Sequence, residues 1–229
     1  MSSTPFDDDR PTGPASLVAE VTPELLLCTA FIRTGRVEGV GASVLGGSTE
    51  RYQLAATDPT FQAAAELQFS CWEGAGPEVV QTGTPVVVGD VWAEFARWPL
   101  TTPRAAALPM RALAVLLLVA QGAVFGLFSA YRSTPRPFSH DDLADLSAIR
   151  DAVAVVALSR FDASQVARLP HSSVSGAVGM LMERFDLDAL DAVALLRAHA
   201  YSTESTVPVL AARLVDGTRA PDQVLGPDG

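Results

Sequence analysis

Ala112-Leu113-Ala114-Val115-Leu116-Leu117-Leu118-Val119-Ala120-Gln121-Gly122-Ala123-Val124-Phe125-Gly126-Leu127-Phe128-Ser129-Ala130-Tyr131 is a run of twenty residues without a charge, flanked by Arg111 and Arg132. It is long enough to cross a bilayer as a helix, and that alternative is weighed first. Gln121-Gly122 falls in its middle, Gly126 and Ser129 interrupt its second half, and valine, leucine and phenylalanine dominate. An arginine at each end gives no sidedness signal. The pattern predicts two buried strands, Leu113–Val119 and Ala123–Tyr131, joined by a tight turn.

The flanking sequence supplies partners for such a hairpin. Upstream, Leu17, Val18, Val21, Leu25, Leu26 and Phe31 recur at helical spacing from about Ser16 to Arg33. Val37–Leu45 and Arg51–Thr57 read as strands around the turn cluster Gly46-Gly47-Ser48. Asp58-Pro59 opens a helix with Phe61, Ala64, Ala65, Leu67 and Gln68, where Asp58 can accept first-turn amides and proline suits the first position. Cys71–Pro77 reads as a glycine-rich loop, Glu78–Thr82 as a short helix, Thr84–Val88 as a strand, and Val91–Thr102 as loop with one or two helical turns. Downstream, Ser139 and Asp142 form a capping-box-like start, and Leu143, Leu146, Ile149, Val153, Val156 and Phe161 continue an apolar stripe that only Pro170 interrupts.

Composition closes several functions. The net charge of −10 leaves no general affinity for polyanions, so any nucleic-acid contact needs a local patch. All 16 basic residues are arginine, which excludes a P-loop lysine, a Schiff-base lysine and the lysine of a phosphorylatable receiver. Cys28 and Cys71 stand far apart, and His140, His171 and His199 are scattered, so neither a disulfide framework nor a metal site is expected. Met1–Pro14 carries Asp7-Asp8-Asp9 where a secretory signal needs positive charge. The expectation is a cytoplasmic protein with no membrane span.

The order helix, two strands, helix, loop, strand, hairpin, long helix resembles the GAF fold. The phrases that carry the resemblance are Ala55-Ala56-Thr57-Asp58, Leu67-Gln68, Gly74-Ala75-Gly76-Pro77, Thr82 to Val88, Asp90, Arg97-Trp98-Pro99 and Phe138 to Leu143. The resemblance implies an antiparallel sheet flanked by helices, with a ligand held between one sheet face and the loops over it. The expected ligand-binding residues are Phe69, Cys71, Trp72, Asp90, Trp92 and Trp98, with Phe95 and Leu100 beside them; core filling is the alternative role for these aromatics. Cys71 beside Trp72 raises a redox or haem reading, against which stands the lack of positioned partners. No cofactor is expected.

At the C-terminal end, Val174-Ser175-Gly176-Ala177-Val178-Gly179-Met180-Leu181-Met182-Glu183-Arg184-Phe185 is followed by Asp188-Ala189-Leu190-Asp191-Ala192-Val193-Ala194-Leu195-Leu196-Arg197 and a third helix from about Val207 to Val215. These segments resemble the ANTAR module, a three-helix RNA-binding domain of bacterial transcription antiterminators. The resemblance implies an α+β GAF-type domain over residues 16–160, then a three-helix ANTAR-like unit over 161–217, between tails at 1–15 and 218–229.

Such a protein would be a signal-sensing antitermination regulator, not an enzyme, that recognises hairpins in nascent RNA. It would pair as a homodimer through its N-terminal helix and a long Ser139–Leu169 helix. Arg184, Arg197, Arg213, Tyr201 and His171 are the expected RNA contacts, since arginine pairs with phosphate and stacks on unpaired bases. Against this, Val178 stands where the family usually has lysine, and Glu204-Ser205-Thr206 stands where it is basic. From Ala163 onward there are five arginines against eight acids. A module that keeps the fold as a protein-interaction or dimerisation unit is the alternative.

Overall fold

A computed structural model describes residues 21–46, 50–120, 122–160 and 173–224. The uncharged run forms two paired strands, β4 (Ala112–Ala120) and β5 (Ala123–Arg132), with Leu116 opposite Phe128 and Leu113 opposite Tyr131. Among the described residues no helix is long and apolar enough to cross a membrane. With β1 (Gly39–Gly46), β2 (Glu50–Ala56) and β3 (Val86–Val88) they form one antiparallel sheet in the order β2-β1-β5-β4-β3.

The missing charge has a structural cause, because both faces of β4 and β5 are covered except at the turn end, where Val119 and Val124 are exposed. Side chains alternate along a strand, so a strand buried on both sides has no position left for a charge. Ala112, Ala114, Leu116, Leu118, Phe128 and Ala130 pack with Cys28 and Phe31 of α1 (Pro23–Ile32) and Leu146 and Val153 of α5 (His140–Arg160). Leu113, Val115, Leu127 and Tyr131 face the other way, toward Ala64 of α2 (Thr60–Cys71) and Ala75 and Val79 of α3 (Ala75–Thr82). The chain from β3 to β4 adds a 3-10 helix over Val91–Ala96 and α4 (Thr102–Ala105).

Helix starts follow local chemistry. Thr22 Oγ1 accepts from the Leu25 amide at 3.2 Å and Pro23 opens α1. At α5 the Ser139 hydroxyl accepts from the Asp142 amide at 3.2 Å while the Asp142 carboxylate accepts from the Ser139 amide at 2.8 Å, a reciprocal capping box. The segment expected as a loop over Cys71–Pro77 is helical from Ala75 onward. Its start is held by a non-local acceptor, Gln68 Oε1, which takes the Gly76 amide at 2.7 Å. Arg160 and the fully buried Glu24 join the end of α5 to α1 at 2.7 Å. The expected continuation of α5 to Leu169, residues 16–20 of the expected N-terminal helix and the tail 1–15 lie outside the described residues; the described helix begins at Pro23, later than the expected start at Ser16.

Gly126 sits in β5 between β1 and β4, and a Cβ there would press on the Ser43 backbone carbonyl and the Leu118 side chain. A backbone atom in a paired strand cannot swing away. Gly126→Ala is expected to lower stability by about 1–3 kcal/mol, read as a reduced urea midpoint with an unchanged slope.

Three further helices follow: α6 (Ser173–Phe185), α7 (Ala189–Ser202) and α8 (Val207–Val215). They share a core of Val174, Ala177, Leu181, Ala192, Leu196, Ala200, Val207, Leu210, Ala211 and Leu214. Asp188 caps α7 by accepting the Asp191 amide at 2.9 Å. The stretch expected as a tail from 218 instead contains a 3-10 turn, Pro221–Val224, whose Val224 is buried in this core. A lone valine among prolines and acids carries no periodic signal, so only the fold reveals it. Residues 225–229 are not among those described.

Candidate functional site

Between the β1/β2/β4/β5 face and α2 lies a cavity of about 280 Å³. Its floor includes Gly41, Ser43, Gln53, Ala55, Leu113, Val115 and Ser129, and its roof Phe61, Ala64, Ala65, Gln68 and Phe69. Space exists because the facing side chains are small. Gly41 lies directly under the Phe61 ring, where a Cβ would come within 2.8 Å. The outer wall comes from Ser173 and Val174 at the start of α6 and Pro208 at the start of α8.

The lining is apolar with neutral hydrogen-bonding groups, and among the described residues Glu66 is its single charged one. That carboxylate already accepts from Gln62 Nε2, and Gln68 Oε1 is committed to Gly76. Hydroxyls and amides from Ser43, Gln53, Ser129 and Ser173 are the groups that can orient an uncharged molecule. Among the described residues no cation lines the cavity to receive a phosphate or carboxylate.

Of the six expected ligand residues the structure places only Phe69 on this cavity. Trp98 is buried in the core with Val86, Val91 and Val79, its Nε1–H donating to Glu78 at 3.0 Å. Trp92 is half exposed, with the Arg111 guanidinium 3.8 Å from its ring centre. Asp90 caps the 3-10 helix through the Trp92 amide at 3.1 Å and pairs with Arg111 at 2.7 Å. The Arg111 hydrogen bond holds the Asp90 carboxyl below its usual range. This segment packs at the β3 edge, away from the open space under α2, so its aromatics fill core or meet solvent. Phe95 and Leu100 are likewise exposed.

Cys71 and Trp72, at the end of α2, meet the C-terminal helices instead. Arg104 reaches Cys71 Sγ at 3.6 Å, donates to the Tyr201 carbonyl at 3.3 Å and lies 4.1 Å over the Tyr201 ring. Arg197 lies 4.3 Å from the Trp72 ring centre and 5.2 Å from that of Phe69, and its Nε donates to the Phe69 carbonyl at 3.2 Å. Burial pushes the Arg197 pKa down. Cation–π contacts of this kind contribute about 0.5–2 kcal/mol each, depending on desolvation. Ser70 Oγ donates to the Glu66 carbonyl at 2.7 Å and accepts from the Val207 amide at 2.8 Å. It thus satisfies the first amide of α8, whose N-cap residue Thr206 makes no side-chain cap bond. Helix α2 is therefore both the roof of the cavity and the dock for α7 and α8.

The expected RNA contacts are dispersed. Arg197 and Tyr201 are engaged with the sheet domain, Arg184 pairs with Asp222 at 2.8 Å, and Arg213 is exposed on α8. His171 lies outside the described residues. His199 is buried, and burial together with the nearby Arg219 pushes its pKa below the usual imidazole range. Among the described residues no cluster of three or more His, Cys, Asp or Glu is placed to hold a metal. Burial and the neighbouring Glu24 push the Cys28 thiol up to about 12, which leaves it an unreactive core residue.

The family model of the GAF domain matches residues 19–157. The chain belongs to the GAF family. Its GAF domain is similar in fold to a type II free methionine-R-sulfoxide reductase of Thermoplasma acidophilum, at 18% identity and a TM-score of 0.45, over 60% of this chain and 91% of that one. It is also similar to a GAF3 domain in its photoproduct state from Synechocystis, at 15% identity and a TM-score of 0.47, over 65% and 97%. A third likeness is a domain of a putative two-component sensor histidine kinase of Sinorhizobium meliloti, at 17% identity and a TM-score of 0.46, over 63% and 94%. No curated protein matches the chain. The GAF family is one of signal-sensing domains, and the cavity lies inside the segment that defines it apart from the wall formed by α6 and α8.

Proposed function

We propose that the chain is a sensor-regulator in which the GAF domain holds a small molecule and the C-terminal helices, an ANTAR-like module, bind hairpins of a nascent transcript to oppose termination. The observation that carries the sensing half is the cavity between the sheet and α2, apolar but furnished with serine and glutamine groups. The RNA half rests on the resemblance of Val174–Arg197 and on the close approach of α6 to its neighbours at Ala177 and Leu181, both fully buried. The protein acts by binding and breaks no bond, in the cytoplasm. A homodimer through α1 and α5 is supported by Leu26, Val155 and Leu158, which are exposed on those helices.

The test is fluorescence anisotropy of the full chain with a labelled RNA hairpin at low salt. Binding that weakens steeply with salt is expected, and Arg213→Ala should weaken it and reduce the salt slope by about one unit. A second reading, a protein-interaction module that has lost RNA, is favoured by the engagement of Arg197, Tyr201 and Arg184 inside the molecule. No hairpin binding by the full chain or by a variant with α7 undocked would select it.

A further inference from the structure

We infer that the cavity is a composite site for an uncharged, largely apolar ligand, with the three-helix unit as one wall, so that ligand occupancy and docking of that unit are thermodynamically linked. The inference rests on the sensing reading and adds ligand class and regulation to it.

The ligand class follows from the lining. An anion would enter a space where, among the described residues, the single charge is the Glu66 carboxylate, and it would lose its hydration with no cation there to replace it. An apolar body with one or two hydroxyl or carbonyl groups would instead meet Phe61, Phe69 and Met110 along its sides and Ser43, Gln53 or Ser129 at its polar points.

The linkage follows from shared residues. Phe69 lines the cavity and also presents its ring and carbonyl to Arg197. Its neighbour Ser70 caps α8 at Val207, one residue before Pro208, which lines the cavity. A ligand filling the cavity touches Val174 and Pro208 only while the unit is docked. By reciprocity, occupancy must favour docking by the same factor that docking favours occupancy.

The dock is built to release. Arg197 is desolvated, its Nη2 is buried without a hydrogen-bond partner among the described residues, and its contacts are rings and one carbonyl rather than a carboxylate. While docked, Arg197 and the ring of Tyr201 are occupied by Trp72 and Arg104. Ligand therefore holds the output helices in the closed arrangement, and its loss frees them.

The test uses the full chain and two fluorescent probes of one skeleton, neutral N-phenyl-1-naphthylamine and its sulfonated analogue 8-anilinonaphthalene-1-sulfonate. The neutral probe is expected to bind, and the sulfonate to bind at least about tenfold more weakly. The double variant Trp72→Ala, Arg104→Ala changes the dock without altering a cavity residue. It should accelerate hydrogen exchange at the Val207 amide and weaken the neutral probe by at least about tenfold, while saturating probe should slow that exchange in the unaltered chain. Ala65→Phe, which fills the cavity, should abolish probe binding.

Equal affinity of the neutral probe in the unaltered and undocked chains overturns the composite site and leaves the sensing reading standing. So does unchanged Val207 exchange in the double variant. Equal affinity of the two probes overturns the ligand class. Binding that survives Ala65→Phe places the probe elsewhere and overturns the site. Failure of both probes to bind the unaltered chain overturns this inference together with the sensing reading.

Discussion

Replacing Arg132 by methionine is expected to lower the stability of the GAF domain by about 3–5 kcal/mol, the largest effect of any single polar substitution in the sheet. Arg132 ends β5 with its side chain 1% exposed. Its Nε donates to the Arg36 carbonyl at 2.8 Å, its Nη1 to the Pro137 carbonyl at 2.8 Å, and its Nη2 lies 2.8 Å from the Asp142 carboxylate. Its guanidinium also covers the Phe138 ring at 4.1 Å. Methionine would fill much of the same space but leave the Pro137 carbonyl without its arginine donor and the Asp142 carboxylate without its nearest cation. The Ser139 amide and the more distant Arg36 stay beside that carboxylate, and the groups left short of partners cost desolvation with no return.

The same cluster fixes the sign of a pH dependence. Burial opposes ionisation of Asp142, but the Arg132 guanidinium and the Ser139 amide and hydroxyl outweigh it and hold the carboxyl well below its usual range. A depressed carboxyl contributes stability that is fully present above the unfolded value of about 3.9 and is lost as pH falls toward the folded value. In Arg132→Met the Asp142 carboxyl returns toward its ordinary range. The stability gap between the two proteins, measured by urea unfolding, should therefore be widest near neutral pH and narrow steadily below about pH 4. A gap that is constant with pH would show that the arginine acts through packing alone.

The pair Arg132–Asp142 also marks what was legible in the sequence. The hairpin was readable because a run buried on both faces must be apolar throughout, and its turn dipeptide sat at the centre. The capping box at Ser139 was readable because both partners lie within one helical turn. The partnership between Arg132 and Asp142 was not, since it depends on the β5–α5 connection folding back. The start of α3 failed for the same reason, because its acceptor Gln68 sits on the preceding helix.

The cavity posed a different problem. Aromatic residues drew attention to Trp92 and Trp98, yet aromatics mark where space is filled. Open space arises where small residues face each other across elements far apart in sequence, as Gly41, Ser43 and Ser129 face Ala64 and Ala65. No local pattern announces such an alignment. Ser70 and Arg104 were missed likewise, because their role depends on a contact with helices more than ninety residues downstream. The consequence for function is direct: the residues that read as an RNA surface, Arg197 and Tyr201, are those that the GAF domain holds.

Leu196→Ala is expected to unfold the three-helix unit while leaving the sheet intact. Leu196 is fully buried on α7 among Ala177, Leu181, Leu210 and Leu214. Truncating a leucine in such a site costs about 2–5 kcal/mol through lost transfer energy and the cavity left behind. A unit of roughly fifty residues has a net stability of about the same size, so the substitution consumes most or all of it. The GAF core shares none of these side chains; its two clusters close around the sheet. Amides of α6 to α8 should then exchange rapidly, while those of Leu116 and Phe128 in the paired central strands keep their protection. Leu146→Ala, at an equally buried site in the α5 stripe, should do the reverse and weaken the strand amides first. If Leu196→Ala instead lowers protection of sheet and helices together, α2 binds the C-terminal helices so firmly that the chain folds as one unit. Release of Arg197 would then require global unfolding rather than the loss of a ligand.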